Sequence, residues 1–159
     1  MDRRGKVTGA APGCQEAWVV IGLDTNILVR WLLSPDLADL ASSDAELERA
    51  GNIVEAKGAS LFVNAVVLAE TAWIMEKRLD LQRKIVSEVI GRLLFAENIQ
   101  LGADAEVRAA LLLYGSSNIG FADCLIAHMN LMAGCSHTLT FDKKAGRTPG
   151  FRHVDDHQD

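Results

Sequence analysis

The stretch Trp18-Val19-Val20-Ile21-Gly22-Leu23-Asp24-Thr25-Asn26 decides the fold of this chain. A run of bulky apolar residues without polar alternation is typical of a strand buried on both faces of a parallel sheet. Ligands of open parallel sheets bind outside the carboxyl ends of the strands. We therefore expect Asp24 to lie where such a fold places its chemistry. The alternative is that Asp24 or Thr25 only caps the helix that follows, because Asp and Thr are good N-caps.

Strands and helices alternate along the rest of the chain. Hydrophobic periodicity and turn residues predict strands over 18–23, 60–63, 99–101, 137–141 and 151–154. The segments between them predict helices over 26–33, 36–57, 65–79, 81–95, 104–115 and 120–133, with a break in the second near 42–43. Asn64 is a suitable N-cap for the helix after it. This alternation indicates an α/β fold, a sandwich of helices around a mainly parallel sheet.

Length and composition indicate a single globular domain. The chain has 159 residues, of which 49% are apolar and 23% are charged, the profile of a folded protein and not of a disordered one. We expect the domain to span 18–155, after a flexible leader over 1–17 and before a disordered tail over 156–159. No apolar run approaches the roughly 18 residues of a membrane span. Three cysteines without paired spacing predict reduced thiols in a cytoplasmic protein.

The net charge of −5 argues against a protein that grips nucleic acid over its whole surface. It is compatible with a nuclease, because an enzyme can hold phosphate through bound cations and a local basic patch. Lys143, Lys144 and Arg147 form a candidate RNA-binding patch, with Arg30 as a further candidate. The alternative for each of these cations is an ordinary solvated surface side chain.

Two predicted strands end in the same way, with Asp24 after Leu23 and with Asp142 after Phe141. If these strands are neighbours in one parallel sheet, both carboxylates emerge at the same edge, outside the carboxyl ends of the strands. This edge is therefore the expected place for a catalytic or metal-binding site.

Two further acids stand out because of their surroundings. Glu70 lies on a helical stripe with Val66 and Val67, and no Lys or Arg occurs over 65–75 to pair with it. A buried ionised group is expensive unless it is paired, so the alternatives for Glu70 are a partner from a distant segment or a rim position with access to water. Asp123 falls in the first turn of its helix, where the helix dipole alone favours an acid by roughly 0.3–1 kcal/mol.

Four carboxylates that converge in one pocket would repel each other strongly. A like-charged pair at about 4 Å costs roughly 4 kcal/mol at an effective dielectric near 20. Such a cluster persists by protonating some of its members or by binding a cation. Oxygen ligands without His or Cys beside them select Mg²⁺ or Mn²⁺. The function that follows from such a cluster is metal-assisted attack of water on a phosphodiester.

Four motifs follow one another along the chain: Asp24-Thr25-Asn26 after the first strand, Glu70 in a helix, Phe121-Ala122-Asp123 at a helix start and Thr140-Phe141-Asp142 after a late strand. Together they resemble the PIN domain family, and most of all the VapC toxins of bacterial type II toxin–antitoxin modules. The resemblance covers about 20–154. Many relatives carry another acid just before the third motif, where this chain has Asn118.

The resemblance implies an α/β/α sandwich with a five-stranded parallel sheet and the activity of a Mg²⁺- or Mn²⁺-dependent endoribonuclease. It implies four catalytic acids that hold the metal, Asp24, Glu70, Asp123 and Asp142, and three supporting residues, Thr25, Asn26 and Thr140. It also implies an RNA substrate, a homodimer and a cognate VapB-type antitoxin that blocks the active site. Residues 1–17 are additional to the usual extent of the family domain.

Two other functions compete with this interpretation. A PIN-like module that has lost catalysis would only bind RNA or a protein partner, and its mark would be an incomplete set of acids, whereas the set is complete here. A phosphatase or receiver-type domain would use Asp24 as nucleophile or phosphoacceptor. A haloacid-dehalogenase-like phosphatase would have a second Asp two positions later, where this chain has Asn26, so that pattern fits poorly.

Overall fold

The computed structural model describes residues 20–32, 44–56 and 60–156. Within these residues the strands are β1 Val20–Gly22, β2 Ser60–Val63, β3 Ile99–Leu101, β4 Thr138–Thr140 and β5 Phe151–His153. The helices are α1 Thr25–Leu32, α2 Asp44–Val54, α3 Ala65–Lys77, α4 Arg83–Leu94, α5 Asp104–Ser116 and α6 Phe121–Met132. Two short 3-10 turns, Ala145–Arg147 and Val154–Asp156, flank β5.

Each predicted strand and helix has a counterpart in the described residues. Apart from the second helix, the observed ends lie within two residues of the predicted ones, because apolar periodicity and capping residues act locally. The leader over 1–17, the first part of the predicted second helix and residues 157–159 of the predicted tail lie outside the described residues.

The expected single five-stranded sheet is not what the described residues form. β1, β2 and β3 form one parallel sheet in the order β1-β2-β3, and β4 and β5 form a second, two-stranded parallel sheet. All pairings are parallel, as predicted, but β1 has no backbone pairing with β4. The choice of neighbouring strands depends on contacts between distant segments, so a local pattern that marks each strand does not encode it.

Strand β1 is exposed, which contradicts the prediction that it is buried on both faces. Val20 is 50% exposed and Ile21 is 43% exposed, because β1 lies at the edge of the sheet that the described residues form and pairs there with β2 alone. In β2, Leu61 and Val63 are fully buried and Phe62 points to the accessible side. Alternation of this kind is typical of a sheet that packs one face on the core and leaves the other face accessible.

The hydrophobic core lies between this sheet and the helices. Helix α3 packs against α1, α4 and α6, and α5 packs against α4 and α6. The rings of Tyr114 and Phe121, both fully buried, meet edge to face at 5.9 Å between centroids, a favourable aromatic geometry. None of the helices in the described segments is long and apolar enough to cross a membrane.

Helix α3 begins at a side-chain cap. The Asn64 side-chain carbonyl accepts hydrogen bonds from the backbone N–H groups of Val66 at 2.9 Å and Val67 at 3.0 Å, as the sequence predicts. These N–H groups belong to the first turn of the helix and have no partner within it. The cap therefore sets the residue at which α3 begins, and with it the positions of the acids that α3 carries.

We predict that Asn64→Ala lowers the free energy of unfolding by about 1 kcal/mol, because it removes the acceptor for two first-turn donors. Urea unfolding followed by circular dichroism measures this change. Asn64→Ser is the matched control, since its hydroxyl can accept the same hydrogen bonds and should retain most of the stability. Equal loss in both variants would show that the cap is not the source of the effect.

Candidate functional site

The first group of site residues lies at the start of α1. The backbone carbonyl of Asp24 accepts hydrogen bonds from the N–H groups of Ile27 and Leu28, both at 3.1 Å, so Asp24 is the residue at which the helix begins. Its exposed carboxylate accepts a hydrogen bond from Asn26 Nδ2 at 3.3 Å. Asp24 thus directly precedes α1, and its exposed carboxylate is accessible to a ligand.

Glu70 joins this group through Thr25. The Thr25 hydroxyl, which is only 4% exposed, donates to Glu70 Oε2 at 2.6 Å, and this hydrogen bond connects the start of α1 to the middle of α3. Both alternatives left open for Glu70 are found, because Glu70 is exposed and its partner Thr25 comes from a distant segment. The buried residues of α3 are Val67, Leu68, Thr71, Ala72 and Met75. A rim position with a hydroxyl partner avoids the cost of burying an unpaired charge.

The second group lies at the start of α6. Gly120, the residue before this helix, has no side chain to cap it, and the Phe121 N–H donates instead to Glu76 Oε1 at 3.1 Å. The Gly120 backbone N–H faces the Asp123 carboxylate and lowers its pKa. Space is tight here, because a Cβ on Gly120 would lie 3.2 Å from Glu76 Oε2 and 3.3 Å from Asp123 Oδ2. Two carboxylates therefore meet at one helix start.

Glu76 is the site residue that the sequence interpretation missed. It lies in the last turn of α3 beside Lys77 and Arg78, a pattern typical of a solvated helix end. Its partner at the start of α6 is 45 residues further along the chain. The one available signal was the absence of a capping side chain at Gly120, which requires that some distant acceptor satisfy the first N–H groups of α6.

Asp123 is the acid of this group whose pKa is shifted. Its pKa is raised above its ordinary value, first by desolvation and then by the negative charges of Asp142 and Glu76. The Gly120 N–H and the positive charge of Lys77 act in the opposite direction and lower this pKa. Asp123 and Asp142 are therefore near enough to repel each other, as two predicted members of one acidic site should be.

Asp142 is held by a tight turn. Its Oδ1 accepts hydrogen bonds from the backbone N–H groups of Lys144 at 2.6 Å and Ala145 at 3.3 Å, and its own N–H donates to Thr140 Oγ1 at 3.0 Å. Thr140 thus orients the backbone of Asp142. The supporting role of Thr140 stays a prediction. Its hydroxyl contacts the Asp142 backbone, whereas Asn26 and Thr25 contact carboxylate oxygens directly.

The interactions given above connect the candidate acids in two groups, each of which contains one residue of α3. One group joins Asp24 and Glu70 through Thr25 and Asn26, and the other joins Asp123 and Asp142 with Glu76. Over 20–32, 44–56 and 60–156, no three His, Cys, Asp or Glu side chains lie close enough together to hold a metal ion. The donor chemistry suits Mg²⁺, but the positions do not form a closed site. In the described residues β1 and β4 have no backbone pairing, so the condition under which Asp24 and Asp142 would emerge from neighbouring strands at one sheet edge is not met.

The candidate RNA-binding cations differ in their availability. Arg30 is engaged, because its Nε lies 3.4 Å from Glu46 Oε2 and its Nη1 donates to the Asn26 carbonyl at 3.0 Å. Lys143, Lys144 and Arg147 are exposed and make no ion pair with any carboxylate in the described part of the chain. Among the described residues, positive charge without a carboxylate partner therefore lies beside Asp142 in the sequence, and not at Arg30.

The chain is similar to one known protein family. A family model described as the PIN domain matches residues 21–151 of this chain, which is most of its length and contains every residue of both groups. The chain matches no curated protein sequence.

We predict that Asp123→Asn stabilises the protein at neutral pH, by less than about 1 kcal/mol, because solvent screens a partly exposed carboxylate. The pKa of Asp123 in the folded state lies above its ordinary value of 3.8. The stability of the wild type therefore falls as the pH rises from the ordinary pKa to the raised pKa of the folded state. Asn does not ionise, and its side-chain carbonyl still presents an oxygen to the Gly120 backbone.

Thermal melts at pH 7 and at pH 3 measure this effect. The gain should be present at pH 7 and should disappear at pH 3, where Asp123 is protonated in both the folded and the unfolded state. Glu88→Gln, which removes one negative charge from the exposed side of α4, is the control for net charge. An equal gain in both variants would contradict the local explanation.

We predict that the two roles of Glu76 separate in two variants. Glu76→Ala removes the acceptor for the Phe121 N–H and should lower the free energy of unfolding by about 1 kcal/mol. Glu76→Gln retains an acceptor and removes the charge, so it should preserve stability and lower the pKa of Asp123. Carboxyl ¹³C titration by NMR measures that pKa, and an unchanged value in Glu76→Gln would contradict the proximity of the two groups.

Proposed function

We propose that this chain, which belongs to the PIN domain family, is an endoribonuclease that hydrolyses RNA phosphodiester bonds. A PIN domain is a nuclease-type fold, and the proposal rests above all on the match of residues 21–151 to this family. The electrostatics agree with it: desolvation and then the negative charge of Asp142 raise the pKa of Asp123, and the exposed Lys143 and Lys144, which follow Asp142 directly, make no ion pair within the described residues. Hydrolysis of a phosphodiester needs carboxylates that can bind a metal ion and nearby cations that attract the phosphate.

We propose that Asp24, Glu70, Asp123 and Asp142 bind Mg²⁺ or Mn²⁺ during catalysis, which requires the acids to approach one another more closely than they do in the described residues. Their all-oxygen donor set favours these ions, and a cation would relieve the repulsion that raises the pKa of Asp123. A bound divalent cation supplies a water of lowered pKa and neutralises charge on phosphate oxygens. Thr25, Asn26 and Thr140 act as supports, since Thr25 donates to Glu70, Asn26 donates to Asp24 and Thr140 accepts the Asp142 N–H.

We further propose that the protein acts as the toxin of a type II toxin–antitoxin pair, in the manner of the VapC toxins that its four motifs resemble. In this proposal the active form is a homodimer in the cytoplasm, and a cognate VapB-type antitoxin blocks the candidate site until it is removed. The support is the order and spacing of the motifs around Asp24, Glu70, Asp123 and Asp142.

We predict that the purified protein cuts RNA only when Mg²⁺ or Mn²⁺ is present, and that Asp24→Asn and Glu70→Gln each lower the rate by at least about 100-fold. A cation that stabilises the transition state contributes several kcal/mol, and each about 1.4 kcal/mol is tenfold in rate. Initial rates on a labelled single-stranded RNA, with and without EDTA, measure both effects. Glu88→Gln is the matched control, since it makes the same chemical change on the exposed side of α4.

The same variants test the toxin role in cells. Wild-type protein expressed alone should arrest bacterial growth and create new RNA 5′ ends, whereas Asp24→Asn should do neither. Equal growth and identical RNA ends for the two proteins would instead favour a PIN-fold module that only binds RNA or a protein partner.

A further inference from the structure

A pocket of about 570 Å³ lies between the loop that connects α5 to α6 and the 3-10 turn Ala145–Arg147. Its lining includes Ser117, Asn118, Ile119, Lys144, Arg147 and Pro149. This volume is within the range of pockets that hold small ligands, roughly 300–1,000 Å³. Lys144 lies two residues after Asp142, so the pocket is next to the candidate site and distinct from its acids.

The wall formed by the α5–α6 loop is held by Arg83. Its guanidinium lies 3.7 Å from the centre of the Tyr114 ring and donates hydrogen bonds to the carbonyls of Tyr114, Ser117 and Ile119. The bonds to Ser117 and Ile119 are both 2.9 Å long. The hydrogen bonds from Arg83 offset the partial negative charge of these carbonyl oxygens, which would otherwise repel an anion. They also hold the loop in place before a ligand binds.

The opposite wall is held by the turn that follows Asp142. Asp142 Oδ1 accepts from the Lys144 N–H at 2.6 Å, and the Thr148 hydroxyl donates to the Lys144 carbonyl at 3.1 Å. Gly146 packs so closely on β5 that a Cβ there would lie 2.8 Å from the His153 Cβ. The backbone that carries Lys144 and Arg147 is therefore pinned on both sides, and one of its anchors is the candidate catalytic acid Asp142.

The chemistry of the lining fits a nucleotide. Lys144 and Arg147 make no ion pair in the described part of the chain, and none of the described lining residues is a carboxylate. Ser117 and Asn118 offer hydroxyl and amide groups, while Ile119 and Pro149 offer apolar surface. Cations bind phosphate, apolar surface covers the face of a base, and an amide can read the edge of an unpaired base.

We propose that this pocket binds one unpaired nucleotide of the RNA substrate next to the bond that is cut, with its phosphate at Lys144 and Arg147 and its base against Ile119 and Pro149. The proposal deepens the proposed ribonuclease function and rests on it. It predicts that the enzyme prefers single-stranded RNA, because a base within a duplex is stacked and cannot enter a pocket of this kind. Asn118 is then the residue that selects the base.

Binding measurements test the phosphate half of the proposal. The probe is a fluorescently labelled single-stranded oligoribonucleotide of mixed sequence, titrated with the full chain in EDTA so that no cleavage occurs, at several salt concentrations. Lys144→Ala and Arg147→Ala should each weaken binding several-fold. Each should also make the plot of log affinity against log salt less steep, with a slope that is less negative by about 0.7. Arg92→Ala, an exposed cation near the other end of α4, should change neither. If all three variants behave alike, the pocket does not hold the phosphate.

Cleavage patterns test the base half. Asn118→Ala should leave the salt slope unchanged and should relax the base preference at a single nucleotide position beside the cut, several-fold in the ratio of cleaved sequences. Lys144→Ala should instead lower cleavage evenly across sequences. A base preference in Asn118→Ala identical to that of the wild type would overturn the assignment of the base. A duplex cut as fast as a single strand would overturn it too.

These outcomes are distinguishable from failure of the ribonuclease function itself. If Asp24→Asn abolishes cleavage while the pocket variants match Arg92→Ala, the proposed ribonuclease activity is supported and the proposed nucleotide pocket is rejected. If wild type and Asp24→Asn yield the same RNA ends, the ribonuclease function is rejected regardless of how the pocket variants bind RNA.

Discussion

Helix α3 connects the two halves of the candidate site through one carboxylate on each side. Glu70 accepts from the buried Thr25 hydroxyl at the start of α1, and Glu76 accepts from the Phe121 N–H at the start of α6. Both are charge-assisted hydrogen bonds to groups at a helix start, and such bonds are stronger than neutral ones. The positions of Asp24 and Asp123 both depend on them, because each acid lies within three residues of the helix start that α3 holds.

The second group of the site, Glu76, Asp123 and Asp142, contains carboxylates that repel one another. Glu76 satisfies a backbone donor of α6, yet its charge also raises the pKa of Asp123, as does that of Asp142. The fold tolerates this repulsion because the side chains remain partly solvated and because the α6 start, with Lys77 nearby, supplies partial compensation. A site that concentrates like charge lowers the stability of the protein that carries it, and functional sites commonly have this cost.

Exposed positive charge lies beside the candidate acid Asp142. The chain is acidic overall, with a net charge of −5, but Lys143, Lys144 and Arg147 are exposed and unpaired in the described residues, whereas Arg30 is engaged by Glu46 and Asn26. A local patch of this kind attracts a polyanion to one place while the remaining surface repels it. The turn that carries the patch is anchored by Asp142 itself, so the patch and the candidate acid keep a constant relative position.

The sequence by itself determined the order and type of the elements, the cap at Asn64 and the placement of Asp24 and Asp142 after strands, because these features depend on neighbours along the chain. Only the tertiary structure decided that β1 is an exposed edge strand, that β4 pairs with β5 and not with β1, and that Glu70 lies on the rim. It also brought Glu76 to the start of α6 across 45 residues and engaged Arg30 with Glu46. The physical reason is that periodicity and capping are local, whereas strand pairing, the burial of a given helix face and the partner of a charge depend on segments that meet only after folding.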